Sequence, residues 1–239
     1  MIGLLVWDNT GKRRGRRSAQ EISVMRLRLL RMGVAQGKHT PEAVLCRRVY
    51  AAEKRLKKLG VSQVILPEGF TPTEHPEGIG PVSTLPLRQA LAADWVRREA
   101  SERELRDARV AVSAQRLTGE VVRTVTELTL RHRYVILDVP YGGEELCRRL
   151  RREYGVSVLL NPETAQLDAA EVLVLFDARG DLTRKNPVVL PLYDEKHPLP
   201  PLVLPPALEE KLPVGVDRSR LLAALLQSGM IRAGADLTF

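Results

Sequence analysis

The sequence predicts an α/β protein: a mostly parallel sheet with helices on both faces, an edge hairpin and a C-terminal helix. Three observations carry this. Apolar runs of strand length alternate with segments of helix length, the order that builds parallel sheets with helical crossovers. The central runs Val110–Ser113, Tyr134–Val139 and Val156–Leu160 are almost wholly apolar, as strands covered on both faces are. The segments between them, Thr118–Arg131 and Gly143–Glu153, are long enough to cross back over a sheet, and right-handed crossovers make all three strands parallel.

The elements follow in order. Ile2–Trp7 is an apolar run ending at Asp8, read as a buried strand. Asn9, Thr10 and Gly11 supply turn chemistry, and the basic cluster Lys12, Arg13, Arg14, Arg16 and Arg17 follows. Ser18 and Glu21 fit a capping box. Ile22, Met25, Leu29 and Met32 then recur at spacings of three and four, which predicts a helix over that stretch. Thr40 and Pro41 open a second helix, with Leu45, Val49, Ala52, Leu56 and Leu59 inward and Gly60 as its stop. Together these read as a basic helical hairpin. Val61–Leu66 is the next strand, and Thr71–Pro86 is a loop rich in Pro, Gly and Thr. Leu87, Leu91 and Trp95 mark a helix reaching about Ala100.

After the central unit, Glu171–Asp177 is a further apolar strand. The turn chemistry of Ala178–Asn186 predicts a reversal into Pro187–Tyr193, hence the edge hairpin. Arg179-Gly180-Asp181 lies in that turn, and the tripeptide's similarity to an adhesion motif is outweighed by the turn preference of Gly and Asp. His197–Pro213 is a proline-rich strap, since its prolines forbid regular ladders. Asp217 caps a last helix that buries Leu221, Leu222, Leu225 and Leu226. The expected organisation is a basic N-terminal portion, 1–105, and a Rossmann-like βαβαβ portion, 106–239, joined or continuous.

Composition narrows the class. The 239 residues are 44% hydrophobic and 28% charged, ordinary for a globular chain. No apolar run approaches the roughly 18 residues of a membrane span. The first apolar run precedes its basic cluster, the reverse of a secretory leader. Cys46 and Cys147 are too few for a disulfide framework. These features predict a cytoplasmic protein. Net charge is +8, concentrated in residues 1–60, where fifteen basic residues face four acidic ones. The remainder is slightly acidic.

In an open parallel sheet, ligands sit beyond the carboxyl ends of the strands, near the reversal of strand order. Two loops fall there. Arg116, Thr118 and Gly119 lead into a helix N-terminus, where free amides and the helix dipole attract anions. The loop lacks both the Gly-x-Gly-x-x-Gly and the Walker A patterns, and Thr118 equally serves as an ordinary N-cap. The second loop runs from Asp138 through Tyr141 to Gly142 and Gly143. Its aspartate ends a buried strand, where it can meet a ribose hydroxyl or a hydrated Mg²⁺, or the loop's own amides. Over this one short segment the chain resembles the strand-Asp-x-Pro-Gly segment of ParA/MinD-type ATPases. Those enzymes need a phosphate-binding lysine loop, which neither Lys12 nor Thr118 and Gly119 supply.

His39, His75, His132 and His197 lack paired spacing, so no metal site is expected. No catalytic residue, cofactor or reaction is assigned. The first functional expectation is a small anionic, nucleotide-like ligand bound by Arg116, Thr118, Gly119, Asp138, Tyr141, Gly142 and Gly143. The alternative is a non-catalytic binding or scaffold protein whose basic N-terminal hairpin, led by Lys12–Arg17, contacts nucleic acid or an acidic partner. Aromatic residues are only 4% of the chain, which argues against a base-stacking platform.

Overall fold

A computed structural model describes residues 1–8 and 18–239. The chain divides into two compact units, each built on its own five-stranded sheet. The first comprises residues 1–84 and 204–232, the second 85–203 and 233–239.

In the first unit, β1 (Ile2–Asp8) lies between β3 (Leu27–Ala35) and β4 (Gln63–Ile65), parallel to both. β2 (Gln20–Val24) pairs antiparallel with β3 at one edge, and the short β5 (Gly80–Pro81) closes the other. The helix expected from Ile22 to Met32 is therefore a β-hairpin. Its turn is Met25 and Arg26, both at positive φ (48° and 73°), as a tight two-residue hairpin loop requires. The three-and-four spacing of Ile22, Met25, Leu29 and Met32 does not describe one apolar face. In β3 it is Leu29, Met32 and Val34 that are buried.

The connection from β3 to β4 is α1 (Glu42–Lys58), which buries the expected Leu45, Val49, Ala52 and Leu56, and also Glu53, whereas Leu59, expected inward, is the C-cap and is exposed. Toward the end of the chain, α7 (Pro206–Glu209) and α8 (Arg218–Gln227) complete this unit. Asp217 caps α8 as expected, accepting from the Arg220 N–H at 3.0 Å. The strand bridge between Pro67 and Val216, and the Asp217 N–H donated to the Leu66 carbonyl at 2.8 Å, tie this late segment to the end of β4.

The second unit opens with α2 (Leu85–Ala90) and α3 (Ala92–Glu102). The central run follows: β6 (Val110–Ser113), α4 (Gly119–Thr129), β7 (Val135–Asp138), α5 (Gly143–Tyr154) and β8 (Val158–Leu160). α6 (Thr164–Asp168), β9 (Val172–Leu175) and β10 (Val188–Pro191) complete it. The strand order is β10-β9-β6-β7-β8 and every pair is parallel. Counted along this unit, that is the 3-2-1-4-5 order of a doubly wound sheet.

The two faces carry separate cores. Val110, Val112, Val135, Leu137, Val172 and Val174 face α3, α4 and α5. The alternate residues Ala111, Ile136, Leu173 and Leu175 face Leu167 and Ala170 at α6. The period of two along each strand produces this division.

The hairpin expected between residues 171 and 193 is instead a parallel crossover. Residues 176–187 cross on the α6 face without forming a helix, with Leu182 packed against the second core. Asn186 holds this crossover, donating from Nδ2 to the Leu167 and Ala170 carbonyls at 2.8 Å each. The antiparallel edge hairpin of the fold is β2–β3. The proline-rich strap is tied down by Arg88, almost wholly buried, which donates to the Glu195 and His197 carbonyls. Among the described residues no helix is long and apolar enough to cross a membrane.

Candidate ligand edge of the second sheet

The order of the second sheet reverses between β6 and β9, so the crevice that such folds use for ligands lies at the carboxyl ends of those strands. Ser113 ends β6 and Asp138 ends β7, in register with each other. The Ser113 hydroxyl donates to Asp138 Oδ2 at 2.8 Å. The same oxygen receives Arg179 Nη1 at 3.0 Å, and that nitrogen lies 3.2 Å from Ser113 Oγ. Arg179 comes from the loop after β9, so its guanidinium spans the reversal point.

The rest of that guanidinium is held by Asp181, through Nε to Oδ1 at 2.8 Å and Nη2 to Oδ2 at 2.6 Å. A two-pronged pair of this kind fixes the plane of the arginine as well as its position. Asp181 and Asp138 together strengthen proton retention by Arg179. In return, Arg179 holds the Asp181 carboxyl down at about 2. Beside them, Asp177 Oδ2 accepts the Gln115 N–H at 2.8 Å. Two connections thus cross the reversal, one ionic and one through the backbone.

The sequence-derived residues divide by place. Thr118 caps α4, its Oγ1 accepting from the Val121 N–H at 3.4 Å. Gly119 has open space where a side chain would stand. Arg116 is exposed in the loop before them. Gly142 adopts the left-handed conformation at the start of α5 (φ 82°), and a Cβ there would lie 3.2 Å from Leu117 Cδ2. The β6–α4 and β7–α5 loops therefore adjoin.

Gly143 is closely packed, and a side chain there would oblige Leu160 to move. An added methyl would overlap Leu160 Cδ1 and stand 3.0 Å from Val139 Cγ1. Tyr141 is 85% exposed. Asp138 takes its hydrogen bonds from Ser113 and Arg179, while the loop amide of Val139 is satisfied by Asn161 Oδ1 at 2.9 Å. Lys12, Arg13, Arg14, Arg16 and Arg17 lie outside the described residues. The strand that precedes them, β1, belongs to the first sheet and not to the sheet of Asp138.

Sequence reasoning missed Arg179 and Asp177. Arg179 stood in the segment read as a hairpin turn, and Asp177 closed the strand read before it. The signal available was the apolar run 171–176 ending in an acid, the same pattern that singled out Asp138.

The strand order and its reversal point define a Rossmann-like α/β protein. No family model matches the chain, and no curated protein matches it. Six solved chains do. One is the crystal structure of a chorismate mutase/shikimate 5-dehydrogenase fusion protein from Clostridium acetobutylicum, 9% identical, covering 75% of this chain and 68% of that chain with a TM-score of 0.23.

Proposed function

We propose that the second unit binds a small anionic, nucleotide-like ligand at the carboxyl edge of its sheet. The observation that carries this reading is Arg179, an oriented cation at the point where the strand order reverses. Arg116, the α4 N-terminus at Thr118 and Gly119, and the loop from Asp138 through Tyr141 to Gly142 and Gly143 surround the same edge. An arriving phosphate competes with Asp138 and Asp181 for the guanidinium, so binding exchanges one charge-assisted pair for another. The open space at Gly119 supports a close approach of a ligand to the α4 amides, because no packing contact demands glycine there.

Thermal unfolding with ATP, ADP, NAD and inorganic phosphate tests this. The reading expects at least one of them to raise the melting temperature, and Asp138→Ala to change that shift. No shift with any compound, or one unaltered in the variant, refutes it.

A second reading has its own observation. α1 exposes Arg47, Lys54, Arg55, Lys57 and Lys58, of which Lys57 donates to the Glu77 carbonyl. This basic surface suits a non-catalytic role in contacting nucleic acid or an acidic protein, the role for which the sequence also offers Lys12, Arg13, Arg14, Arg16 and Arg17. Such binding weakens steeply with salt if several phosphates are engaged. Neutralising Lys12, Arg13, Arg14, Arg16 and Arg17 weakens it further. Unchanged binding in that variant rules the reading out.

A further inference from the structure

The crossover from β8 to β9 is carried by α6, a helix of only five residues. A helix that short cannot roof the sheet beyond β7. Ile136 of β7 and its register partner Leu159 of β8 lie on the α6 face, and Leu159, on the edge strand, remains 43% exposed. Tyr134, just before β7, is 47% exposed. Between this part of the sheet and α6 lies a depression of about 750 Å³, a volume typical of small-molecule sites.

Its floor and wall are Ile136, Val158, Leu159, Ala165 and Ala169. Arg109 and Arg133 also line it, and the Arg133 guanidinium lies 5.4 Å from the Tyr134 ring centroid. The Glu171 carboxylate accepts the Arg109 backbone N–H at 2.7 Å, and neither guanidinium is in an ion pair among the described residues. An apolar cleft edged by two cations attracts a molecule with an apolar body and an anionic end. The Tyr134 face and the aliphatic floor suit the body, and two planar guanidinium groups suit a carboxylate. Ser157 and Gln166 also line the cleft, and Gln166 Oε1 is engaged by the Glu163 N–H at 3.1 Å.

We propose that this concavity binds a small organic acid, its carboxylate on Arg109 and Arg133 and its apolar body against Ile136, Leu159 and the α6 alanines. The site lies at the amino ends of the strands, the opposite end from Asp138, and does not depend on the nucleotide reading.

Methyl NMR titration of the full chain tests it, with decanoate, 1-decanol and acetate as probes. Decanoate is expected to shift the Leu159, Ala165 and Ala169 methyls saturably. Decanol and acetate, each lacking one half of the chemistry, bind at least about tenfold more weakly. The exposed double variant Arg109→Gln/Arg133→Gln weakens decanoate by about tenfold and brings it level with decanol. Leu159→Ser weakens decanoate and leaves acetate unchanged. The proposal is overturned if decanoate gives no saturable shift up to about 10 mM, if decanol binds as tightly, or if the double variant binds decanoate as wild type does.

Discussion

Arg179 Nη1 lies 3.0 Å from Asp138 Oδ2, joining the loop after β9 to the end of β7 across the intervening strand β6. The side chains are 22% and 18% exposed, so water screens the pair only partly. It is therefore both a structural tie and the charge centre of the candidate site.

As a tie, the pair has a measurable coupling. Arg179→Ala leaves Asp138 with the Ser113 hydroxyl as its side-chain partner among the described residues, and should cost about 1–2 kcal/mol in denaturant unfolding. Asp138→Asn should cost a similar amount. The double variant should cost less than the sum of the two by about 1 kcal/mol. Strict additivity would show that the contact contributes nothing to stability.

The acid response of this edge follows from Asp181. Its carboxyl titrates at about 2, below the ordinary 3.8, chiefly because Arg179 donates to it. The folded value is depressed, so the associated stabilisation is complete above pH 4 and is lost as pH falls toward 2. An NMR titration of the Asp181 carboxyl should find the low value in wild type and a return to the ordinary range in Arg179→Ala. A value near 2 in both would place the cause elsewhere.

Glu53 has the opposite sign. It is 0% exposed in α1, where Oε1 meets His75 Nδ1 at 2.9 Å and Oε2 has no hydrogen-bond partner among the described residues. Burial raises its pKa, and the His75 contact only partly offsets this. A raised carboxyl favours folding in its protonated form, so this stabilisation is present below the unfolded value of 4.5 and is lost as pH rises through the folded value. Glu53→Gln removes the charge and retains a group able to bond His75. It should stabilise the protein at pH 7 by on the order of 1 kcal/mol, with a smaller gain at pH 4. A gain that grows on acidification contradicts the assignment.

Two glycines at the candidate edge separate packing from approach. Gly143→Ala should destabilise by about 1–3 kcal/mol, because Leu160 and Val139 fill the space. Gly119→Ala should be neutral or stabilising by about 0.5 kcal/mol, because nothing occupies that space. If ligand approaches the α4 amides, the added methyl at 119 weakens binding without harming the fold. Equal destabilisation at both positions, measured by chemical denaturation, would remove this distinction.

The central unit was legible because local and long-range preferences agree there. β6 falls on the expected Val110–Ser113, β7, β8 and α4 fall within the expected runs, and α5 starts at the expected Gly143 and ends one residue beyond the expected Glu153. The N-terminal hairpin was hidden by its turn. Met25 and Arg26 adopt positive φ without the Asn or Gly that usually announces such a turn. The β9–β10 crossover was hidden because parallel strands ordinarily enclose a helix, whereas this one is held by the two Asn186 hydrogen bonds. Of the site, Asp138 was legible as an acid ending an apolar strand. Arg179 was not, because 41 residues separate it from Asp138 and only the strand order brings them together.

Amide hydrogen exchange with and without ADP tests the ligand-edge reading most directly. It predicts slower exchange in 114–121, 138–146 and 177–182, with the protection lost in Arg179→Gln. Protection confined to residues 12–58, or protection at the edge that survives Arg179→Gln unchanged, would contradict it.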